Sequence, residues 1–226
     1  MVTFPGESVE YRAARDDLLE AEKDLRRQVE AVAAKRRALP SGGLVAADYT
    51  FMTATPGAAE APVGLDGLFS GGKESLVVYG LMYADEGEPC PMCSAFLDCL
   101  DGAIPHISQQ SDVAVVAKTG AARLRDFATS RGWRNLPLYS SAGTSFNTDY
   151  HAESPAHGQL PMVNVFRMDG DVVRHFVGSE MFFEPSEPGQ NPRHVDMLWP
   201  LWNTLDLTPG GRGDWYPSLR YGDGAG

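Results

Sequence analysis

The sequence predicts an α/β fold in which a mixed sheet is flanked by helices, with a helical arm at the N-terminus. Three observations carry this. Residues 7–39 are free of Gly and Pro and rich in helix formers. "SLVVYGLMYA" from Ser75 is a nearly continuous apolar and β-branched run, as expected of a strand covered on both faces. Further on, "LPMVNVFRMDGDVVRHFVG" alternates in period two about a Met-Asp-Gly-Asp turn and reads as a hairpin.

Taken in order, the first helix carries Tyr11, Leu18, Leu25, Val32 and Leu39 every seven residues, but the companion column is Ala14, Ala21, Gln28 and Lys35. That is one apolar stripe and not a coiled-coil seam. The stripe faces either its own domain or a second copy of the chain, so a homodimer contact through this helix is one expectation. "LPSGG" ends the helix and "DYTFMTAT" follows as a strand. The expected division is an arm over residues 1–47 and a domain over 48–226 that includes the C-terminal tail.

After the Ser75 strand comes "EPCPMC". Met92, Phe96, Cys99 and Ala103 then form a helical stripe that places Cys99 in the core, and Pro105 ends or kinks the helix. "DVAVVAK" is a second strand, "GAARLRDFATSRGW" a second helix, and "LPLYS" a short strand. A long irregular connection precedes the hairpin, and a last helix is expected over about residues 192–205. Its neighbours Trp199, Trp202, Trp215 and Tyr216 either wall a site or dock the tail.

Composition narrows the function. The formal charge is −11, with 19 basic and 30 acidic groups, so nucleic acid and anionic membrane are poor partners. No run approaches the roughly 18 apolar residues of a membrane span, and no export signal opens the chain. The expected compartment is the cytoplasm, where three cysteines are reduced thiols.

Cys90 and Cys93 are then a redox pair, two metal ligands or two core residues. Zinc needs four N or S ligands, and the sequence has neither a second C-x-x-C nor a spaced His pair; His106, His151, His157, His175 and His194 are scattered. No metal or cofactor is expected. A redox reading has a physical basis: a cysteine at a helix N-terminus meets unpaired N–H groups and the positive dipole end, which favour thiolate. Cys93, one turn on, is within reach to resolve a mixed disulfide, and Pro91 suits the first helical position. Asp85, Glu86 and Glu88 crowd Cys90 with negative charge, which opposes the helix terminus and suggests a cationic partner.

Other motifs carry less. Gly67 to Lys73 has phosphate-loop spacing, but Glu74 replaces the magnesium-binding hydroxyl and a strand follows. "RGD" at 212–214 is a chance tripeptide. "NTDYHAE", with Asn147, Asp149, Tyr150 and His151, either lines the site or is a hydrogen-bonded turn.

The stretches "YRAARDDLLEAEKDLRRQVEAVAAKRRALP", "SLVVYGLMY", "CPMC", "SSAGTSFNTDY", "VNVFRMDGDVVRHF" and "LWNTLDLTPGGRGDWYPSLRY" resemble the bacterial family DUF899. Its members are thioredoxin-like proteins described as predicted dithiol-disulfide oxidoreductases. The resemblance implies a thioredoxin-like fold, with Cys90 as nucleophile, Cys93 as resolving thiol and Pro161 as a cis-proline presenting a backbone edge to substrate. It implies as partners a disulfide-containing protein, or a small thiol or peroxide, together with a separate reductant. The layout of "LPLYSSAGTSFNTDYHAE" is similar to a peroxiredoxin-like loop and keeps peroxide reduction open. Two departures stand out: Pro89 replaces the usual Trp before the first cysteine, and Ala84 stands where a buried Asp is expected. The alternative is a redox-inactive binding or scaffold protein that keeps the fold.

Overall fold

The computed structural model describes residues 2–221 apart from 46, 71 and 191–197. It divides into two compact units, Met1–Ser41 and Gly42–Gly226. The first unit is a single long helix, α1 (Val9–Arg37), started by Ser8, whose hydroxyl accepts the Tyr11 N–H at 3.1 Å, and ended among Lys35, Arg36 and Arg37. That cap and those charges complement the helix ends.

The second unit contains β1 (Thr50–Thr53), β2 (Pro62–Gly64), β3 (Ser75–Leu81), α2 (Pro91–Asp101), α3 (Ile104–Ile107), β4 (Asp112–Ala117), α4 (Ala121–Arg131) and β5 (Leu138–Ser140). It continues with α5 (Phe146–Asp149), β6 (Glu153–Ser154), β7 (Gly158–Gln159), β8 (Val163–Asp169), β9 (Val172–Gly178) and α6 (Pro200–Leu205). Seven strands form one sheet in the order β2-β1-β5-β4-β3-β8-β9. β3, β4 and β5 are parallel; β8 runs antiparallel to β3 and β9 antiparallel to β8. The four strands β9-β8-β3-β4, with α2 joining β3 to β4 and α6 following β9, make the thioredoxin-like arrangement.

Period-two alternation divides the core into two layers. Tyr79, Leu81, Val115 and Ala117 face Cys93, Phe96 and Leu97 of α2, Leu124 of α4, and Trp199 and Trp202. Leu76, Val78, Ala114 and Val116 face Phe51, Phe146 and Phe166.

Residues 42–45 belong to the sheet rather than to the arm. Leu44 bridges Arg174, and His175 N–H donates to Gly43 O at 2.9 Å, which covers the β9 edge. A Cβ on Gly42 would lie 1.7 Å from His175 O, so only glycine permits that approach.

The last helix is shorter than the span expected, and much of the remainder, residues 191–197 with His194, lies outside the described residues. Among the described residues no helix is long and apolar enough to cross a membrane.

Candidate functional site

Cys90 sits as the N-cap of α2, with Pro91 at the first helical position. Its N–H donates to Met82 O at 3.0 Å, fastening it to the end of β3, and its carbonyl accepts from Ser94 N at 3.0 Å and Ser94 Oγ at 2.8 Å. The Cys90 sulfur is half-buried and accepts the Cys93 N–H at 3.4 Å. Cys93 is one turn further on and 1 % exposed, and both thiols are free.

The two sulfurs are electrostatically unequal. A hydrogen bond from the Cys93 thiol, helped by the N–H groups of Cys93 and Met92 and opposed by burial, brings the Cys90 pKa down to about 6. The same thiol contact holds the Cys93 pKa well above its ordinary value, and burial and the charge on Cys90 add to this. Cys90 is therefore the thiolate and Cys93 the thiol.

Two further residues shape the site. Tyr79, buried on β3 and 4.8 Å from the Phe96 ring, hydrogen-bonds the Cys93 thiol through its hydroxyl. Burial first, then Cys93, keeps that phenol protonated. The signal in the sequence is that Tyr79 carries the one polar tip inside the run "VVYGL". Arg123 of α4 donates to the carbonyls of Ala84 at 3.0 Å, Asp85, and Gly87 at 2.5 Å, and lies over the Tyr83 ring at 4.7 Å. It clasps the loop that leads into Cys90.

Asp85, one of the three acidic residues expected to crowd Cys90, is bound elsewhere. The Asp85 carboxylate accepts from Thr119 Oγ1 at 3.0 Å and Gly120 N at 2.9 Å at the start of α4. The Gly120 N–H, the Thr119 hydroxyl and Arg123 hold its pKa low, and no carboxylate contributes to the Cys90 shift. Asp85→Ala is expected to lower stability through the lost helix-terminus contact and to leave the Cys90 titration midpoint in place. Urea unfolding and thiolate absorbance check the two parts, and a falling midpoint would restore the acidic surround.

Pro161 also departs from expectation. Among the described residues there is no cis peptide bond, so Leu160–Pro161 is trans, the form X–Pro favours by about 0.5–1 kcal/mol unless context overrides it. The backbone around it is already satisfied: Leu160 N–H binds Ala152 O, Met162 O accepts from Gly80 N–H, and Val163 N–H binds Ser179 Oγ. Pro161 itself is buried. Gly80 makes the close crossing possible, since a Cβ there would meet that of Ala152 at 3.2 Å.

Cys99 is exposed, not part of the core. The buried face of α2 runs through Cys93, Phe96 and Leu97, one position round from the stripe expected. The "NTDYH" segment belongs to the opposite layer: Asn147 bonds Ser141, Asp149 accepts from Tyr49 at 2.8 Å, and Tyr150 packs on Phe166. Trp199 and Trp202 are buried against α2, whereas Trp215 and Tyr216 are exposed. Among the described residues no group of three or more His, Cys, Asp or Glu is placed to hold a metal ion.

Comparison with known proteins gives one family. The model of the family described as "Bacterial protein of unknown function (DUF899)" matches residues 1–222. No curated protein matches the chain in sequence. Among solved structures, the peroxidoxin BcpB of Mycobacterium tuberculosis is 16% identical, with a TM-score of 0.47 over 70% of this chain and 93% of that one. A peroxiredoxin Q variant of Xanthomonas campestris is 13% identical, with a TM-score of 0.47 over 72% and 96%.

Proposed function

We propose that this chain, which belongs to the DUF899 family, is a thiol-disulfide oxidoreductase acting through Cys90 and Cys93. The observation that carries the reading is the inequality of the two thiols: a half-buried Cys90 at a helix N-terminus with its pKa near 6, beside a buried, protonated Cys93. A scaffold that keeps the fold for binding alone has no use for that inequality.

The Cys90 thiolate attacks one sulfur of a substrate disulfide. A Cys90–substrate disulfide forms, the substrate S–S bond breaks, and the departing thiolate takes a proton from solvent. Cys93 then gives up its proton and attacks the Cys90 sulfur, so that the second substrate thiolate leaves and is protonated. The substrate gains two electrons and two protons, and the chain holds a Cys90–Cys93 disulfide. An external dithiol returns it to the reduced state by the reverse exchange. With a peroxide, Cys90 takes the terminal oxygen as sulfenic acid and the alkoxide leaves as alcohol; Cys93 then displaces water to give the same disulfide.

The test is trapping. Reduced Cys93→Ser protein is incubated with a disulfide peptide and separated without reductant, and the adduct is located by mass spectrometry. A stable mixed disulfide on Cys90, absent from Cys90→Ser and transient in the native protein, is the expected result. A native protein that forms no Cys90–Cys93 bond with either a disulfide or a peroxide overturns the reading in favour of the scaffold.

A further inference from the structure

We propose that α1 is a self-association arm, which pairs antiparallel with the α1 of a second copy of this chain. The unit Met1–Ser41 contains one helix, and none of its residues is buried. At 1.5 Å per residue its 29 residues extend roughly 43 Å. Its apolar side chains are not scattered: Tyr11, Leu18, Leu25 and Val32 recur every seven residues, with Leu19 and Val29 beside them, and all six are exposed. A single helix has nothing within its own unit to cover such a stripe.

Charge identifies the occupant. Residues 7–24 hold seven acidic and three basic groups, and residues 25–39 hold one acidic and five basic. The halves are therefore −4 and +4. The helix dipole explains only the outermost charges, because its influence falls off within the first and last turns. Asp16, Asp17, Glu20, Glu22 and Asp24 lie well inside the helix.

Local pairing uses part of the charge: Arg12 with Glu7 and Asp16, Lys23 with Glu20, and Arg27 with Asp24. Asp17 and Glu22 in one half, and Arg26, Lys35, Arg36 and Arg37 in the other, have no ion-pair partner among the described residues. An antiparallel second copy sets the negative half against the positive half along the whole stripe; a parallel copy sets like against like. Rim charges of this kind select orientation and partner, while the apolar stripe supplies the affinity.

The experiment is mass measurement by light scattering and sedimentation on the full chain, reduced, at 50 and 500 mM salt. The native protein is expected at twice the 24.5 kDa chain mass, with dissociation at least about tenfold easier at the higher salt, because screening weakens opposed charges. Leu18→Glu with Leu25→Glu is expected to give a monomer with unchanged Cys90 alkylation, which shows that the second unit remains folded. A native monomer at 100 μM, or a dimer indifferent to those substitutions, overturns the proposal. A dimer that tightens with salt overturns the antiparallel pairing. A native monomer whose stability falls in the Leu18→Glu, Leu25→Glu variant assigns the stripe to the chain's own second unit.

Discussion

In the reduced protein, alkylation of Cys90 by iodoacetamide is expected to rise with a midpoint near pH 6, while Cys93 stays unreactive at neutral pH. At pH 7 the two sites should differ by at least about 100-fold, since reactivity follows thiolate fraction and access. The size of the benefit to Cys90 can be bounded. A pKa of 6 in place of 9 raises the thiolate fraction at pH 7 by roughly 90-fold, but intrinsic nucleophilicity falls by roughly 15- to 30-fold over the same three units. The net gain in attack rate is therefore only a few-fold.

The larger effect is on equilibrium. Stabilising the Cys90 thiolate favours the reduced form by roughly tenfold at pH 7 and makes the couple roughly 30 mV more oxidising there than one with ordinary thiols. The sign with pH follows from a depressed pKa: the stabilisation is complete above about pH 9 and is lost as pH falls through 6. Reduction takes up one proton between those limits and two below pH 6. The midpoint potential should therefore change by roughly 30 mV per pH unit above pH 6 and roughly 60 below it. Glutathione titration followed by mass spectrometry measures this, and a single slope through pH 6 would contradict the assigned thiolate.

Trp199→Ala is expected to cost about 3–5 kcal/mol. Trp199 is 1 % exposed and meets Phe96 edge-on at 6.0 Å and Trp202 at 5.1 Å. Its indole N–H has no hydrogen-bond partner among the described residues, so its removal strands no acceptor and the loss is one of packing. Trp215→Ala is the control: at 45 % exposure it should change stability by less than about 0.5 kcal/mol. The two variants differ further at the site. Trp199 shares a core cluster with Cys93, so its loss should bring Cys93 into reach of alkylating reagents under native conditions. Equal urea midpoints for the two variants would show that α6 does not hold the layer over α2.

The central strands were legible because burial on both faces leaves a continuous apolar run, and "SLVVYGL" and "DVAVVA" became β3 and β4. The start of α2 was legible from Cys90-Pro91, and the hairpin from its alternation about Gly170. What failed was rotation and aim. "MCSAFLDCL" is apolar on adjoining faces, so periodicity alone did not decide whether Cys93 or Cys99 turns inward; packing against Tyr79 and Leu124 did. Asp85 reads from the chain as a neighbour of Cys90, but the groups that bind it lie 34 and 35 residues later. Tyr79 is eleven positions before Cys90, so its contact with Cys93 exists only after β3 and α2 pack.

The closing of the Cys93 layer by Trp199 sets an order of events during synthesis. Cys93 and Trp199 are separated by more than a hundred residues, which a ribosome translating at about 5–20 residues per second covers in roughly 5–20 s. β8, the partner of β3, is also made well after Cys93, though before Trp199. Such non-local contacts form only after the chain between them is available. For those seconds the thiol that is buried in the finished domain is open to solvent and to oxidants, and the nascent protein depends on its surroundings, not on its own core, to keep Cys93 reduced.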